Sequence, residues 1–258
     1  QSVNIPAVEA LYLAGVRDSI DLAKSLGVES LTALEDYGLS LVLGGGAVSL
    51  IDMVSAYSVF ANDGIRNPYN PILWVEDTEG NVIDRYVAYP NRVLPEQTAR
   101  TISSILSDNN ARTPAYGANS TLYVDYRDVA VKTGTSNDYR DAWIIGYSPN
   151  LVIGAWVGNN DNSQMAKKVA GLIVSPMWRE LMDKVLPSLP VESFIDPDQE
   201  DESLLKPVLK GDFTSAEHSI LYWVDKNNPR GEEPRESSTD PQFKNWEYSV
   251  QFWRNTRN

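Results

Sequence analysis

The chain has 258 residues, 42% of them hydrophobic, and a net charge of −13. That length can bury a substantial core, as one large domain or one domain plus an extension. The acidity, with no basic cluster to offset it, argues against a nucleic-acid partner. There is no cysteine and one histidine, His218, so a disulfide framework, a thiolate metal site, a cysteine nucleophile and a histidine-rich metal site all drop out. Ser-His-Asp catalysis would hang on that one histidine in an acidic tail. The lack of cysteine fits an extracytoplasmic and a cytoplasmic home equally.

The first residues, from Gln1-Ser2-Val3-Asn4 on, show no signal-peptide pattern. Ile5-Pro6-Ala7-Val8 opens a helix, with Pro6 tolerated in its first turn and Val8, Leu11, Tyr12 and Gly15 at helical spacing. Residues 18–26 predict a second helix on Ile20, Ala23 and Leu26, ended by Gly27. Residues 39–60 carry Asp52 as their only charge and are long enough to span a membrane. Gly44-Gly45-Gly46 cuts that window, and Ser49 with Asp52 three later marks a helix start. The expectation is a glycine turn and then a buried helix over 49–62, its stripe formed by Leu50, Met53, Val54, Tyr57 and Phe60.

Residues 72–75 and 82–87 read as a hairpin around the turn at 77–81. Residues 95–107 predict a helix with Ile102, Ile105 and Leu106 as its apolar set. Residues 109–128 read as a polar, turn-rich connection. Three strands follow, at 129–135, 142–147 and 151–157, joined by connections short enough to favour antiparallel pairing. After a loop at 161–163, residues 174–186 predict an amphipathic helix with Pro176 near its start and Trp178, Leu181, Met182 and Val185 on one face.

The composition shifts at Pro187. Residues 187–258 hold seven of the fifteen prolines and 14 acidic against 8 basic side chains. Glu200-Asp201-Glu202 and Glu232-Glu233 read as solvated charge. Ile220 to Val224 and Trp246, Tyr248, Phe252 and Trp253 are too apolar for a free tail. Residues 1–186 are therefore read as one domain and 187–258 as an acidic, proline-rich extension docked on its own domain.

The chemistry concentrates in Lys132-Thr133-Gly134-Thr135. Lys132 puts a cation on a strand, and Lys132 and Gly134 alternate with Thr133 and Thr135 across the pleat. Gly134 bares the backbone for a ligand or another element. A cation, hydroxyls and a bare strand suit a carboxylate-bearing peptide laid alongside.

Lys-Thr-Gly is the strand motif of serine β-lactamases and penicillin-binding proteins. Several stretches in order strengthen the likeness: Ser2-Val3-Asn4, the glycine turn at 38–46, Ala56 to Gly64, Lys132 to Thr135, Arg140-Asp141-Ala142-Trp143, and Gly154 to Asn159. Together these resemble the transpeptidase domain of class A bifunctional penicillin-binding proteins, over about residues 1–186. The resemblance implies an α/β (α+β) fold of the β-lactamase/transpeptidase type, an antiparallel sheet flanked by helices. The family's nucleophile is the serine of a Ser-x-x-Lys motif upstream of Ser-x-Asn, and here Ser-x-Asn starts at residue 2. The expectation is thus a C-terminal portion of a larger protein, incomplete at its N-terminus. Ser203-Leu204-Leu205-Lys206 fits the pattern but lies in the tail, out of family order.

What the resemblance implies is a peptidoglycan D,D-transpeptidase that cross-links stem peptides ending in D-Ala-D-Ala through a serine acyl-enzyme and binds β-lactams. Ser2 would relay a proton, Asn4 would hold the substrate amide, and Lys132 would supply positive potential. Thr133, Gly134 and Thr135 would bind the substrate, with the Thr135 N–H as half of the oxyanion hole. No metal or organic cofactor is implied. The partners implied are stem peptides, β-lactams and the remaining N-terminal portion of the same protein. The place implied is extracytoplasmic, periplasmic or at the outer face of the cytoplasmic membrane, on a membrane-anchored parent. The alternatives are a D,D-carboxypeptidase or β-lactamase-like hydrolase, and a non-catalytic cell-wall binding or scaffold chain. Plainer roles stand beside these: Ser2 and Asn4 as a helix cap, Lys132 as an edge-strand gatekeeper, Tyr57, Phe60, Trp143 and Trp156 as core or wall residues, Asp138, Arg140 and Asp141 as a loop pair, and His218 as structural.

Overall fold

The computed structural model describes residues 2–32, 35–165, 167, 170–199, 205–211 and 217–257. Ser203 and Leu204 of the tail Ser-x-x-Lys, and Glu200-Asp201-Glu202, lie outside the described residues. The chain forms two compact units, Gln1–Asp198 and Gln199–Asn258.

The first unit begins with helices α1 (Asn4–Ala14) and α2 (Val16–Leu26), which Gly27 ends in the left-handed region at φ 110°. The apolar window at 39–60 is a 3-10 turn (Leu39–Leu43), a left-handed Gly44 at φ 96°, and helix α3 (Leu50–Ala61). No helix of the described residues is long and apolar enough to cross a membrane. Strands β1 (Ile65–Arg66) and β4 (Asn91–Arg92) pair with each other, and β2 (Trp74–Glu76) with β3 (Val82–Arg85), forming an exposed hairpin. Helices α4 (Glu96–Ser107) and α5 (Asn109–Tyr116) lead to the central sheet. Its strands β5 (Ala130–Thr135), β6 (Asp141–Ser148) and β7 (Leu151–Gly158) run antiparallel in that order. Helices α6 (Ala170–Ile173) and α7 (Ser175–Val185) follow.

Two bare positions set how the layers stack. Trp178 of α7 lies where a side chain at Gly146 would be, and its Nε1–H donates to the Ile153 carbonyl (3.1 Å). A Cβ at Gly154 would meet Val54 of α3 at 2.5 Å. Gly146 and Gly154 lie in the adjacent pairs Gly146↔Ile153 and Ile145↔Gly154. Neighbouring residues on a strand face opposite ways, so α7 covers one face of the sheet and α3 the other. The main core, with Ile144, Ile153, Val174, Trp178, Met182 and Leu186, lies on the α7 side.

The helix stripes depart from the sequence pattern. Asp52, Ser55, Ala56 and Val59 are the buried residues of α3, and Leu50 is exposed. The helix is packed from two sides, with Ala56 in the cluster of Ile20, Val28 and Leu31 and Val54 against β7. Small and polar residues take the tightest positions, and the large ones flank them. In α4 the buried pair is Ala99 and Ser103, with Ile105 exposed, and in α7 Leu181 is exposed beside buried Trp178 and Met182. The connection expected at 109–128 contains α5. This helix has no apolar stripe to reveal it. Asp108 caps it, accepting from the Ala111 amide (3.0 Å), and buried Arg112 ties it down by donating to the carbonyls of Leu106 (2.5 Å) and Leu122 (3.2 Å).

Residues 187–198 run with the first unit. Arg127 donates to the carbonyls of Leu186, Leu189 and Pro190, and Phe194 meets the Tyr147 ring edge-on at 5.6 Å. In the second unit, α8 (Ile220–Trp223) and α9 (Phe243–Arg257) are held by Glu247. Its carboxylate accepts from the amides of His218 (2.6 Å) and Ser219 (3.1 Å), and His218 Nδ1 lies 2.9 Å away. His218 thus has a structural setting.

Asp52 pins the start of α3. Its Oδ2 accepts from the Glu29 amide (3.1 Å), the Ser30 amide (3.1 Å) and the Ser30 hydroxyl (2.9 Å), while its own amide donates to Ser49 Oγ (3.1 Å). Burial pushes the carboxyl's pKa up, but the hydrogen bonds with Ser30, Ser49 and Glu29 outweigh it and hold the group below its ordinary 3.8. A depressed carboxyl stabilises above its unfolded value and loses that contribution as pH falls through the folded one. Asp52→Ala is expected to cost about 1–3 kcal/mol at neutral pH. In urea melts the gap to the parent should shrink as pH falls below about 4.

Candidate active site

Strand β5 lies at the edge of the three-stranded sheet, opposite β7. Lys132 pairs with Ile145, Thr133 with Ile144, Gly134 with Trp143 and Thr135 with Ala142. Ile145 shares its face with Gly154 and α3, so Lys132 and Gly134 belong to the α3 face. Thr133 and Thr135 belong to the α7 face.

Lys132 is half-buried, and its Nζ donates to Ser2 Oγ (2.8 Å) and to the Thr133 carbonyl (2.6 Å). The contact with Ser2 spans 130 positions of sequence. Ser2 is exposed, two residues before Asn4, which opens α1 and is also exposed. The α1 cap is Val3, with no side-chain cap bond. Ser2 therefore faces the lysine and does not cap the helix. Burial pushes the Lys132 ammonium below its ordinary pKa of 10.5.

The threonines differ. Thr133 Oγ1 is 2.8 Å from the hydroxyl of Tyr116, the last residue of α5. Thr135 is exposed at the strand's end. At Gly134 a Cβ would stand 3.4 Å from that of Trp143, at the edge of ordinary contact.

The turn after Thr135 is built on Asp141. Ser136 Oγ donates to Asp141 Oδ2 (2.6 Å), the Asp141 amide donates to Ser136 Oγ (2.8 Å), and Trp156 Nε1–H donates to Asp141 Oδ1 (3.0 Å). Asp138 and Tyr139 inside the turn sit in the left-handed region at φ 60° and 57°. Asp138 and Arg140 form a loose, exposed pair at 3.9 Å, worth little by itself. Asp141 is thus the residue of that loop that closes the turn next to Thr135. The ring centroids of Trp143 and Trp156 lie 6.4 Å apart, forming a wall on the α3 side of Gly134.

The structure brings together Ser2 and Lys132, with Gly134 and Thr135 farther along the same strand. Asn4 is near Ser2 in the chain, and Thr133 turns to the other face. The sequence reading missed Tyr116, whose only signal was an aromatic residue just before a glycine in a polar stretch.

The sequence pattern of the penicillin binding protein transpeptidase domain matches residues 13–182. The chain belongs to this family. Among its relatives, penicillin-binding protein 1A of Aquifex aeolicus (strain VF5) is 31% identical over 198 residues, covering 75% of this chain and 26% of that protein. Penicillin-binding protein 2D of Bacillus subtilis (strain 168) is 29% identical over 252 residues, covering 93% and 35%. The chain spans about a quarter to a third of the length of these curated relatives. Its fold is that of solved penicillin-binding proteins. Penicillin-binding protein 1A from Haemophilus influenzae aligns with a TM-score of 0.65 at 24% identity, over 76% of this chain and 35% of that one. PonA1 from Mycobacterium tuberculosis in complex with penicillin V aligns with a TM-score of 0.63 at 23% identity, over 76% and 59%. The relatives place this transpeptidase domain with the class A proteins.

The half-buried Lys132 ammonium has a consequence for the stability of the transpeptidase domain. Its folded pKa is depressed, so the cost of burying the charged form is present below that pKa and is relieved as pH rises toward 10.5. The melting difference between Lys132→Met and the parent should therefore move in the parent's favour as pH rises toward 10.5, and a difference that moves the other way would show that the ammonium is net stabilising.

Proposed function

We propose that residues 1–186 supply the Lys-Thr-Gly strand and the Ser-x-Asn face of a peptidoglycan D,D-transpeptidase. In this reading the remaining helical half, with the nucleophilic serine, belongs to the rest of the protein. The Lys132 to Ser2 hydrogen bond carries it, since it joins two motifs that local structure alone has no reason to bring together. Helix α1 supports it as well. Apart from Asn4 and Glu9 its side chains are apolar or aromatic, yet only Leu11 is buried while Ile5 and Tyr12 are exposed, and such a helix needs covering.

The serine of the upstream Ser-x-x-Lys motif attacks the D-Ala-D-Ala peptide carbonyl. The developing oxyanion is met by the Thr135 N–H and the serine's own N–H, each donor worth about 3–4 kcal/mol. Ser2, polarised by Lys132, passes a proton to the leaving nitrogen as the C–N bond breaks and D-alanine departs. The amine of a neighbouring stem peptide then attacks the ester. A peptide bond replaces the ester bond, and the serine oxygen recovers its proton. Asn4 holds the substrate amide, and Lys132 with Thr133 and Thr135 draws the terminal carboxylate. β-Lactams acylate the same serine. This chemistry belongs outside the cytoplasm, on a membrane-anchored parent, and of the acidic stretch 187–258 the residues after 198 form the extension, 187–198 running with the catalytic domain.

Intact mass after incubation with penicillin tests the reading. The adduct is expected on a longer protein that includes the upstream segment and not on the 258-residue chain. Lys132→Ala in the longer protein should slow acylation by about 100-fold or more with little change in melting. An adduct on the short chain would move the nucleophile into residues 1–258. No adduct on either would contradict the reading.

A further inference from the structure

The Lys-Thr-Gly strand has a neighbour that the mechanism above does not use. Tyr116 ends α5 and reaches the α7 face of β5, where its hydroxyl lies 2.8 Å from Thr133 Oγ1. Its position is set from three directions. Arg112, one turn earlier, anchors α5 to the carbonyls of Leu106 and Leu122. The ring packs against the main core. On its far side α6 passes so closely that a Cβ at Gly171 would stand 2.7 Å from Tyr116 Cε1. A polar hydroxyl has therefore been delivered to the back of a motif threonine by a helix, a buried cation and a bare glycine.

The hydrogen-bond inventory says what this can do. A threonine hydroxyl has one proton, and a carboxylate accepts only. Thr133 can donate to a carboxylate only if it is not already spending that proton on Tyr116. The two hydroxyls can be oriented either way. With an anion in front of the strand, the favourable direction is Tyr116 O–H to Thr133 O, and Thr133 O–H to the carboxylate. A chain of this kind also polarises each donor in turn.

We propose that Tyr116 is a positioning residue for carboxylate recognition, holding the Thr133 hydroxyl so that its single proton points at the ligand anion. This rests on the transpeptidase reading and deepens it, adding α5 to the strand as part of the carboxylate subsite. Tyr116 does not touch the reacting atoms, so its signature lies in binding before chemistry.

The test uses the full-length protein and benzylpenicillin, with the pre-covalent binding constant and the limiting acylation rate constant resolved by stopped flow. Tyr116→Phe keeps the ring and the packing. It is expected to weaken pre-covalent binding about five-fold, leaving the limiting rate constant and the melting temperature unchanged. Thr133→Val should weaken the same constant, and Tyr116→Phe should add nothing in that background. Gly171→Ala, which displaces the ring without removing the hydroxyl, should reproduce the binding loss by a separate route. Unchanged binding in Tyr116→Phe would overturn the proposal, as would an equal further loss on top of Thr133→Val, or a loss confined to the rate constant. If the wild-type protein gives no adduct, the transpeptidase reading falls and takes this proposal with it. If it gives one and Tyr116→Phe matches it, only this proposal falls.

Discussion

A half-buried ammonium on a strand must find oxygen ligands or give up its charge. That constraint organises the first unit. Lys132 meets it with the Thr133 carbonyl beside it and with Ser2 from 130 residues away. One ligand is local and always available. The other exists only if Ser2, just ahead of α1, is brought to the α3 face of β5. Whatever aligns α1, α3 and β5 therefore also assembles the site.

The alignment comes from sheet alternation and bare backbone. Gly146 admits Trp178 on one face and Gly154 admits α3 on the other, so the sheet is clamped between helices at fixed distances. The alternation that seats these helices also sends Lys132 to one side and Thr133 to the other. The cation and the first threonine hydroxyl thus lie on opposite faces of one edge strand. Tyr116 meets the threonine on the far face, and Asp141 closes the turn where the strand ends.

Much of this was legible in the residues. The three strands and their pairing followed from β-branched runs and short connections. The start of α3 followed from Ser49 and Asp52, whose capping bond is present. The Lys-Thr-Gly strand and the ordered motifs around it pointed to the family. What failed to show was packing that is not periodic. Helix α5 escaped because its stability comes from Asp108 and the buried guanidinium of Arg112, neither of which makes an apolar stripe. The buried face of α3 was misread because large residues mark a stripe only when a helix has one buried side, and α3 has two. Tyr116 was invisible because its neighbours Thr133 and Gly171 lie far from it in sequence.

The central claim is that Ser2 and Lys132 act as one unit. It is tested most directly by acylation rates with penicillin for Ser2→Ala, Lys132→Ala and the double variant of the full-length protein. The account predicts strong non-additivity, the double variant losing no more than the worse single one, because either change breaks the same contact. Losses that simply multiply would show that the two residues act independently, and would contradict the account.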